Sequence, residues 1–249
     1  MKSFRIVTYN VHKCCGLDRR VRPGRIADVL REVDADIIAL QEVLSIEGGL
    51  PEENQGRFIA DALSCELIQG ENRKLKGGAY GNVILSRLPL VHAHNFDLTW
   101  RDRERRGCLR ADINVGDSSH AAHLLHVFNV HLGTAYIERR FQARKLVSDE
   151  ILGNKSLGRS RIVLGDFNEW MRGLATRLLS EVLESVDVAT HTGSSRTYPG
   201  VLPVMHLDHI YFDPLLRLEK FSLHRGRTAL IASDHLPMIA EFSLEESAS

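Results

Sequence analysis

Polar residues that a hydrophobic core would reject recur at six places where an apolar run meets a loop. They are Asn10, Glu42, Asn129, His131, Asp166, Asn168, Asp208, Asp234 and His235. In an extended strand, residues two apart share a face, so Asn129 and His131 can point into one cleft. Asp166 and Asn168 have the same spacing. One Asp or Asn alone is typical of a turn or helix cap, but the whole set favours a shared catalytic site.

Four of these residues are carboxylates, namely Glu42, Asp166, Asp208 and Asp234. Without a cation, converging carboxylates would repel and raise one another's pKa values. A divalent cation such as Mg²⁺ or Mn²⁺ prefers carboxylate and amide oxygens and would also neutralise a substrate phosphate. His235 with Asp208 suits a general base for water, since the carboxylate fixes the histidine tautomer. The sequence therefore predicts a Mg²⁺ or Mn²⁺ site and a phosphate-ester substrate.

A zinc site is the alternative, because four histidines cluster in one stretch of the chain. They are His120, His123, His126 and His131. Strand alternation puts His126 on the opposite face from His123 and His131. No HExxH motif or cysteine pair supports a zinc site.

The elements that must position these residues are mainly strands. Apolar and alternating runs predict strands at about 4–9, 36–41, 82–86, 108–115, 122–131, 161–165, 207–212 and 236–243. Helical spacing predicts helices at about 24–33, 55–63, 136–152 and 173–184. Many strands with fewer helices favour two packed sheets with helices outside.

The chain has 249 residues, of which 43% are hydrophobic, so it can bury a substantial core. No linker, repeat or low-complexity tract divides it, and we expect a single domain over 1–244 with a frayed tail at 245–249. Lys and Arg number 32, as do Asp and Glu, so no net positive field attracts nucleic acid or membrane. Without a signal-like or membrane-spanning run, we expect a cytoplasmic protein with reduced cysteines.

Seven short motifs occur in a fixed order along the chain. They are Thr8–His12, Leu40–Val43, Gly81–Ser86, Asn129–Leu132, Gly165–Asn168, Leu207–Ile210 and Ser233–Pro237. In this order they resemble the endonuclease/exonuclease/phosphatase superfamily, whose fold is deoxyribonuclease I-like. The resemblance spans nearly the whole chain. It implies a four-layered α/β sandwich in which two packed mixed β-sheets are flanked by helices.

The resemblance also implies a metal site. Glu42, helped by Asn10, is similar to the principal metal ligand of the family, and Asp234 to a further direct or water-mediated ligand. The chain departs from the family at position 12, where some members have an acidic residue and this sequence has His12. That departure bears on metal affinity and stoichiometry, unless His12 is simply a packed loop residue.

The catalytic residues that the resemblance implies are five. Asp166 and Asn168 resemble the pair that aligns the attacking water and the phosphate. His235 with Asp208 resembles the His–Asp dyad, and its members share the roles of base and transition-state stabilisation. His131 resembles the histidine that contacts the phosphate or protonates the leaving oxygen.

Substrate contacts are expected from Asn82, Arg106, Asn168 and His131. Asn82 follows a glycine, so a turn is the alternative, and Arg106 lies in an Arg-rich run that solvated ion pairs would also explain. The Asn-x-His-Leu motif is more similar to deoxyribonuclease I, neutral sphingomyelinases and small bacterial proteins of the YbhP type than to abasic-site endonucleases. For a lipid substrate, the exposed apolar candidates are 48–51 and 201–205, although such runs usually pack.

Together these features predict a metal-dependent hydrolase that cleaves phosphodiesters by in-line attack of an activated water. Nucleic acid and a membrane lipid or small-molecule phosphodiester both remain open as substrate. The alternatives are a phosphomonoesterase and a noncatalytic binding protein that retains the fold. No protein partner is evident from the sequence.

Overall fold

The computed structural model describes residues 3–116, 123–169, 173–186, 196–200, 202 and 204–244. The expected tail at 245–249 and His120 of the zinc hypothesis lie outside these residues.

Strands dominate the described residues, as expected from the sequence. The strands are β1 (Ser3–Asn10), β2 (Ile37–Ser45), β3 (Glu66–Leu75), β4 (Gly78–Ser86), β5 (Leu90–Asp97), β6 (Gly107–Asn114), β7 (Leu124–His131), β8 (Arg161–Asp166), β9 (Glu184–Ser185), β10 (Asp208–Phe212), β11 (Leu216–Leu223) and β12 (Met238–Leu244). The helices are α1 (Pro23–Val33), α2 (Gln55–Leu63), α3 (Tyr136–Leu146), α4 (Leu174–Ser180) and α5 (Ala229–Ala232).

The strands form two six-stranded sheets. The first has the order β11-β12-β1-β2-β4-β3 and the second the order β5-β6-β7-β8-β10-β9. In each sheet the central pair is parallel, β1 with β2 and β7 with β8, whereas the other pairs are antiparallel. Both sheets are therefore mixed, as the family resemblance implied.

Three apolar layers hold the sheets and helices together. Ile6 and Ile84 of the first sheet pack with Val127 and Leu164 of the second in the central layer. One outer layer lies between the first sheet and α1, α2 and α5, and the other between the second sheet and α3 and α4. The fold is thus the predicted four-layered α/β sandwich, with an apolar layer between each pair of adjacent layers.

Four strands escaped prediction, namely β3, β5, β9 and β11. Each lies at an edge of its sheet, where one side has no neighbouring strand. Edge strands expose more of their side chains and carry charged residues, so their apolar pattern is diluted. Helix α3 also ends at Leu146, several residues before the predicted end at 152.

The four cysteines are free, in agreement with the expected reduced thiols. Among the described residues, no helix is both long enough and apolar enough to cross a membrane.

A buried amide joins the two sheets. Asn129 of β7 is fully buried, and its Nδ2 donates to the carbonyl oxygens of Leu40 and Val83, each at 2.9 Å. Its Oδ1 accepts a hydrogen bond of 2.7 Å from Nε2 of Gln41. All three partners belong to the first sheet, so this amide lies at the sheet interface and not in the cleft where alternation had placed it.

We expect Asn129→Ala to lower the free energy of unfolding by about 3 kcal/mol, because it removes buried hydrogen bonds to Leu40, Val83 and Gln41. Urea unfolding followed by tryptophan fluorescence measures this difference. Asn154→Ala is the matched control, since Oδ1 of Asn154 accepts its hydrogen bonds from Ser156 in an exposed turn. A loss for Asn129→Ala no larger than that of the control would contradict the structural role.

Candidate active site

The candidate residues meet at one edge of the sandwich because of the strand directions. Asn10 ends β1, His131 ends β7 and Asp166 ends β8. The carboxyl ends of parallel strands lie at the same edge, and an antiparallel neighbour begins there. Asp208 accordingly begins β10 directly opposite Asp166, and His235 lies just before β12.

The backbone has a positive φ at Glu42 and at Gly165, the residue before Asp166. In β2 the register shifts from Leu40 opposite Val83 to Val43 opposite Gly81, which is one extra residue, and Glu42 lies in this bulge with a φ of +59°. A bulge re-aims a side chain relative to the strand's alternation, here that of Glu42. Gly165 has a φ of +143°, and a Cβ there would lie 1.9 Å from the carbonyl oxygen of Val130. Only glycine therefore fits immediately before Asp166.

His235 and two carboxylates form the most buried part of the site. Nδ1 of His235 lies 2.9 Å from Oδ2 of Asp208, and Nε2 lies 3.7 Å from Oδ2 of Asp166. Burial alone would lower the pKa of His235, but the charges of Asp208 and Asp166 raise it to about 10. Burial, reinforced by the charge of Asp208, raises the pKa of Asp166 to about 6. The positive charge of protonated His235 thus balances the buried carboxyl groups of Asp208 and Asp166.

His131 faces Asp166 from the other side. Its Nε2 lies 3.6 Å from Oδ2 of Asp166, and its Nδ1 lies 3.2 Å from Nη1 of Arg106. A guanidinium can only donate, so Nδ1 is the acceptor and Nε2 carries the proton. Burial, with the charge of Arg106, lowers the pKa of His131 well below its ordinary value. His131 is therefore a neutral imidazole that presents an N–H group to the acidic side of the cleft.

Asn10 connects the acidic groups of the two sheets. Its Nδ2 donates to Oδ2 of Asp166 at 2.9 Å and lies 3.3 Å from Oε1 of Glu42. Oε2 of Glu42 accepts a hydrogen bond of 2.8 Å from Lys13. Burial opposes ionisation of Glu42, yet the charge and hydrogen bond of Lys13 hold its pKa well below the ordinary range.

The donor set suits a hard divalent cation. Glu42 and Asp234 are partly open, with side chains 19% and 21% exposed, and they offer carboxylate oxygens as such ions prefer. Asp166, Asp208 and His235 also bring ligand atoms within 4.8 Å of one another. Binding an ion through Nδ1 of His235 would break its bond to Asp208. Within the described residues, buried Oδ1 of Asp208 has no hydrogen-bond partner.

Position 12 carries the expected departure from the family. Nδ1 of His12 lies 3.1 Å from Oδ2 of Asp234, and the imidazole is 41% exposed. The hydrogen bond and charge of Asp234 raise the pKa of His12 above its ordinary value, although burial opposes the rise. His12 is therefore not a packed loop residue but a partner of a candidate metal ligand.

Asn168 and Asn82 are held by backbone groups. Nδ2 of Asn168 donates to the carbonyl of Leu132 at 3.0 Å, and its own N–H donates to Oδ1 of Asp166 at 2.9 Å. Asn82 lies within β4 and not in a turn, is fully buried, and donates to the carbonyls of Gly107 and Asn129. It thereby supports the strands that carry Arg106 and His131. Direct contact of Asn82 with a substrate stays a prediction.

The described histidines of the zinc hypothesis do not converge. His126 contacts Asp112 at 2.6 Å, and His123 contacts Ser160 at 2.9 Å, whereas His131 lies in the cleft. The zinc hypothesis is therefore wrong for these three residues.

Sequence reasoning missed Lys13, which contacts Glu42, and Glu104, which pairs with Arg106 at 3.0 Å. The only available signal was a basic residue following Asn10-Val11-His12. Tyr198 also lies beside the site, with its ring centre 5.0 Å from that of His235.

The two sheets bring a set of acidic, amide and histidine side chains to one edge. Such a set is typical of a phosphoesterase site. The model of the Endonuclease/Exonuclease/phosphatase family matches residues 7–235, and the chain belongs to that family. Uncharacterized protein YbhP of Escherichia coli strain K12 is 31% identical over 251 residues, which cover 97% of each chain.

Solved structures share the fold at lower identity. TDP2 of D. rerio, complexed with a single-strand DNA product, superposes with a TM-score of 0.73 at 17% identity over 97% of this chain and 99% of that one. The mannosyl-6-phosphatase Bt3783 of Bacteroides thetaiotaomicron gives a TM-score of 0.73 at 18% identity, covering 97% of this chain and 100% of that one. At these identities the likeness supports the fold alone.

We expect NMR titration of the metal-free protein to show His235 protonated at neutral pH. Because its folded-state pKa lies near 10, above its ordinary value of 6.5, the stability from this proton is complete below pH 6.5. That contribution is lost as the pH rises through the folded value. Asp208→Asn should lower the pKa of His235, because it removes the nearest negative charge. An unchanged His235 titration would contradict this account, and the exposed His92 signal serves as the internal control.

Proposed function

We propose that the protein is a divalent-metal-dependent phosphodiesterase. The observation that carries the proposal is the contact of Asp166 with both His235 and His131 beside the open carboxylate of Glu42. In this proposal, a water, a phosphate and a cation would each lie beside one of these groups. Because the chain retains these acidic, amide and histidine side chains, a noncatalytic role is disfavoured.

The cation would be held by Glu42 and Asp234, with Asn10 orienting the Glu42 carboxylate. When bound, Mg²⁺ or Mn²⁺ would neutralise charge on the phosphate oxygens. It would also draw on the two carboxylates that are least buried in the site, which are the easiest for an entering ion to reach.

The attacking water would be oriented by Asp166 and Asn168. Asp166, whose pKa is raised to about 6, would accept the proton of this water, because His235, 3.7 Å away with a pKa of about 10, is already protonated. Asp208 keeps His235 in place through Nδ1. The imidazolium then faces the negative charge that develops in the transition state, where a fixed charge is most effective.

His131 would act as a hydrogen-bond donor to a phosphate or leaving oxygen. A neutral imidazole that gave up its only N–H proton would become an anion, which burial disfavours. Of the two roles that the resemblance implied, contact with the phosphate therefore agrees better with the geometry. Arg106 fixes this tautomer and adds a positive charge nearby.

The substrate can be a nucleic acid or a lipid or small-molecule phosphodiester. The net charge of zero provides no general attraction for a polyanion. Leu50, Leu202 and Val204 lie in the two apolar loops noted in the sequence and are 68%, 73% and 54% exposed, so these side chains do not pack. These observations favour a small or lipid-like ester. Hydrolysis of a monoester, as the name of the related mannosyl-6-phosphatase describes, is the alternative.

We expect Mg²⁺- or Mn²⁺-dependent hydrolysis of bis(p-nitrophenyl) phosphate, abolished by EDTA and slower with the corresponding monoester. His235→Ala should reduce kcat by about 10³-fold, the scale for loss of a group that stabilises transition-state charge. His92→Ala removes an exposed histidine on β5 and should leave the rate unchanged. Hydrolysis that survives EDTA or the His235 substitution would reject the proposal, and faster monoester turnover would indicate a phosphatase.

Salt dependence should separate the substrate classes. Affinity for a nucleic acid would fall steeply between about 50 and 200 mM salt, because each phosphate contact releases counterions. The KM for a small phosphodiester should change little over the same range. We expect the KM of the substrate that is hydrolysed faster to depend only weakly on salt. If DNA or RNA is hydrolysed faster and its KM rises steeply with salt, this expectation is contradicted.

A further inference from the structure

The turn after β1 has an unusual backbone. His12, Lys13 and Cys14 have φ values of 45°, 56° and 54°, in the left-handed region that residues with a Cβ disfavour. The buried side chain of Gln55 holds this turn, since its Nε2 donates to the Lys13 carbonyl at 2.7 Å. Oε1 of Gln55 in turn accepts the N–H of Leu44 at 3.0 Å. The turn is thereby tied to β2, the strand that carries Glu42.

This turn delivers two basic side chains to the two open carboxylates. Nζ of Lys13 lies 2.8 Å from Oε2 of Glu42, and Nδ1 of His12 lies 3.1 Å from Oδ2 of Asp234. The second oxygen of Glu42 is already within 3.3 Å of the amide of Asn10. Both Glu42 oxygens therefore face a donor, and the amide of Asn10 is neutral whereas Lys13 is a cation.

We propose that Lys13 competes with the divalent cation for Glu42 and so sets the metal affinity of the site. The inference rests on the proposed function, because it concerns the same metal position. A cation that binds Oε2 takes the place where the ammonium now lies, and two positive charges about 4 Å apart repel strongly outside bulk water. Lys13 must leave Oε2 before the ion is bound, and its side chain, 35% exposed on a flexible stem, is free to do so.

The competition has a structural rationale. Glu42 lies beside Asp166 through Asn10, and without a counter-charge the acids would repel one another. Lys13 supplies that charge while the metal is absent. The site is thus kept assembled before loading, and the cost appears as weaker binding of the ion.

The test is direct binding of Mn²⁺ to the substrate-free protein, measured by calorimetry or by the loss of the free-ion EPR signal. Lys13→Met should bind Mn²⁺ about tenfold more tightly than wild type, the size expected for one coupled contact. Lys13→Arg keeps a competing cation and should stay close to wild type. Lys145→Met serves as the control, because it removes a lysine of α3 whose Nζ lies 4.0 Å from Oε2 of Glu150.

A thermodynamic cycle ties the effect to Glu42. In a Glu42→Gln background, substitution of Lys13 should no longer change Mn²⁺ affinity. If Lys13→Met binds Mn²⁺ no more tightly than wild type while hydrolysis still needs the metal, the role of Lys13 is overturned and the proposed metal dependence stands. Absence of Mn²⁺ binding in all variants, with hydrolysis insensitive to EDTA, overturns both this inference and the proposed metal dependence.

Discussion

The buried amide of Asn129 fixes the relation between the two sheets on which the site depends. Apolar faces alone tolerate small shifts, whereas this amide is satisfied only when Leu40, Val83 and Gln41 stand opposite it. A shift by one residue would leave buried polar groups unpaired. Because His131 follows Asn129 by two residues on β7, and Glu42 follows Leu40 by two on β2, the same bonds set the separation of the two halves of the site.

The two sheets contribute complementary charges to the cleft. The second sheet provides the buried acids, Asp166 and Asp208, which are costly without a counter-charge. His235, from the loop before β12 of the first sheet, supplies that charge at 2.9 Å from Asp208, and Asn10 of β1 donates to Asp166 at 2.9 Å. Correct packing of the sheets is thus also what makes the acids tolerable, so the fold and the site stabilise each other.

Sequence patterns predicted the central strands and the motif residues because both follow from alternation and strand direction. Asp166 and Asp208, for instance, must meet wherever neighbouring strands end and begin at one edge. The contact of Lys13 with Glu42 could not be predicted in this way. It needs a left-handed turn and a β-bulge, and neither Lys13 nor Glu42 is a residue type that signals such a backbone. The end of helix α3 was predicted too late, and its buried face combines polar Arg139 and Gln142 with apolar Ala143 and Leu146.

The polar side chains on the buried face of α3 explain how the loop after β7 is held. Gln142 is fully buried and accepts the N–H of Gly133 at 2.8 Å, while buried Arg139 donates to the carbonyls of Gly133 and Thr134. Ile137 of the same helix is 56% exposed, the reverse of the usual arrangement. A loop beside a catalytic histidine has many backbone groups and few apolar atoms, so polar side chains can fix it where apolar ones cannot. Helix α3 therefore gives up part of its apolar packing to hold the segment that follows His131.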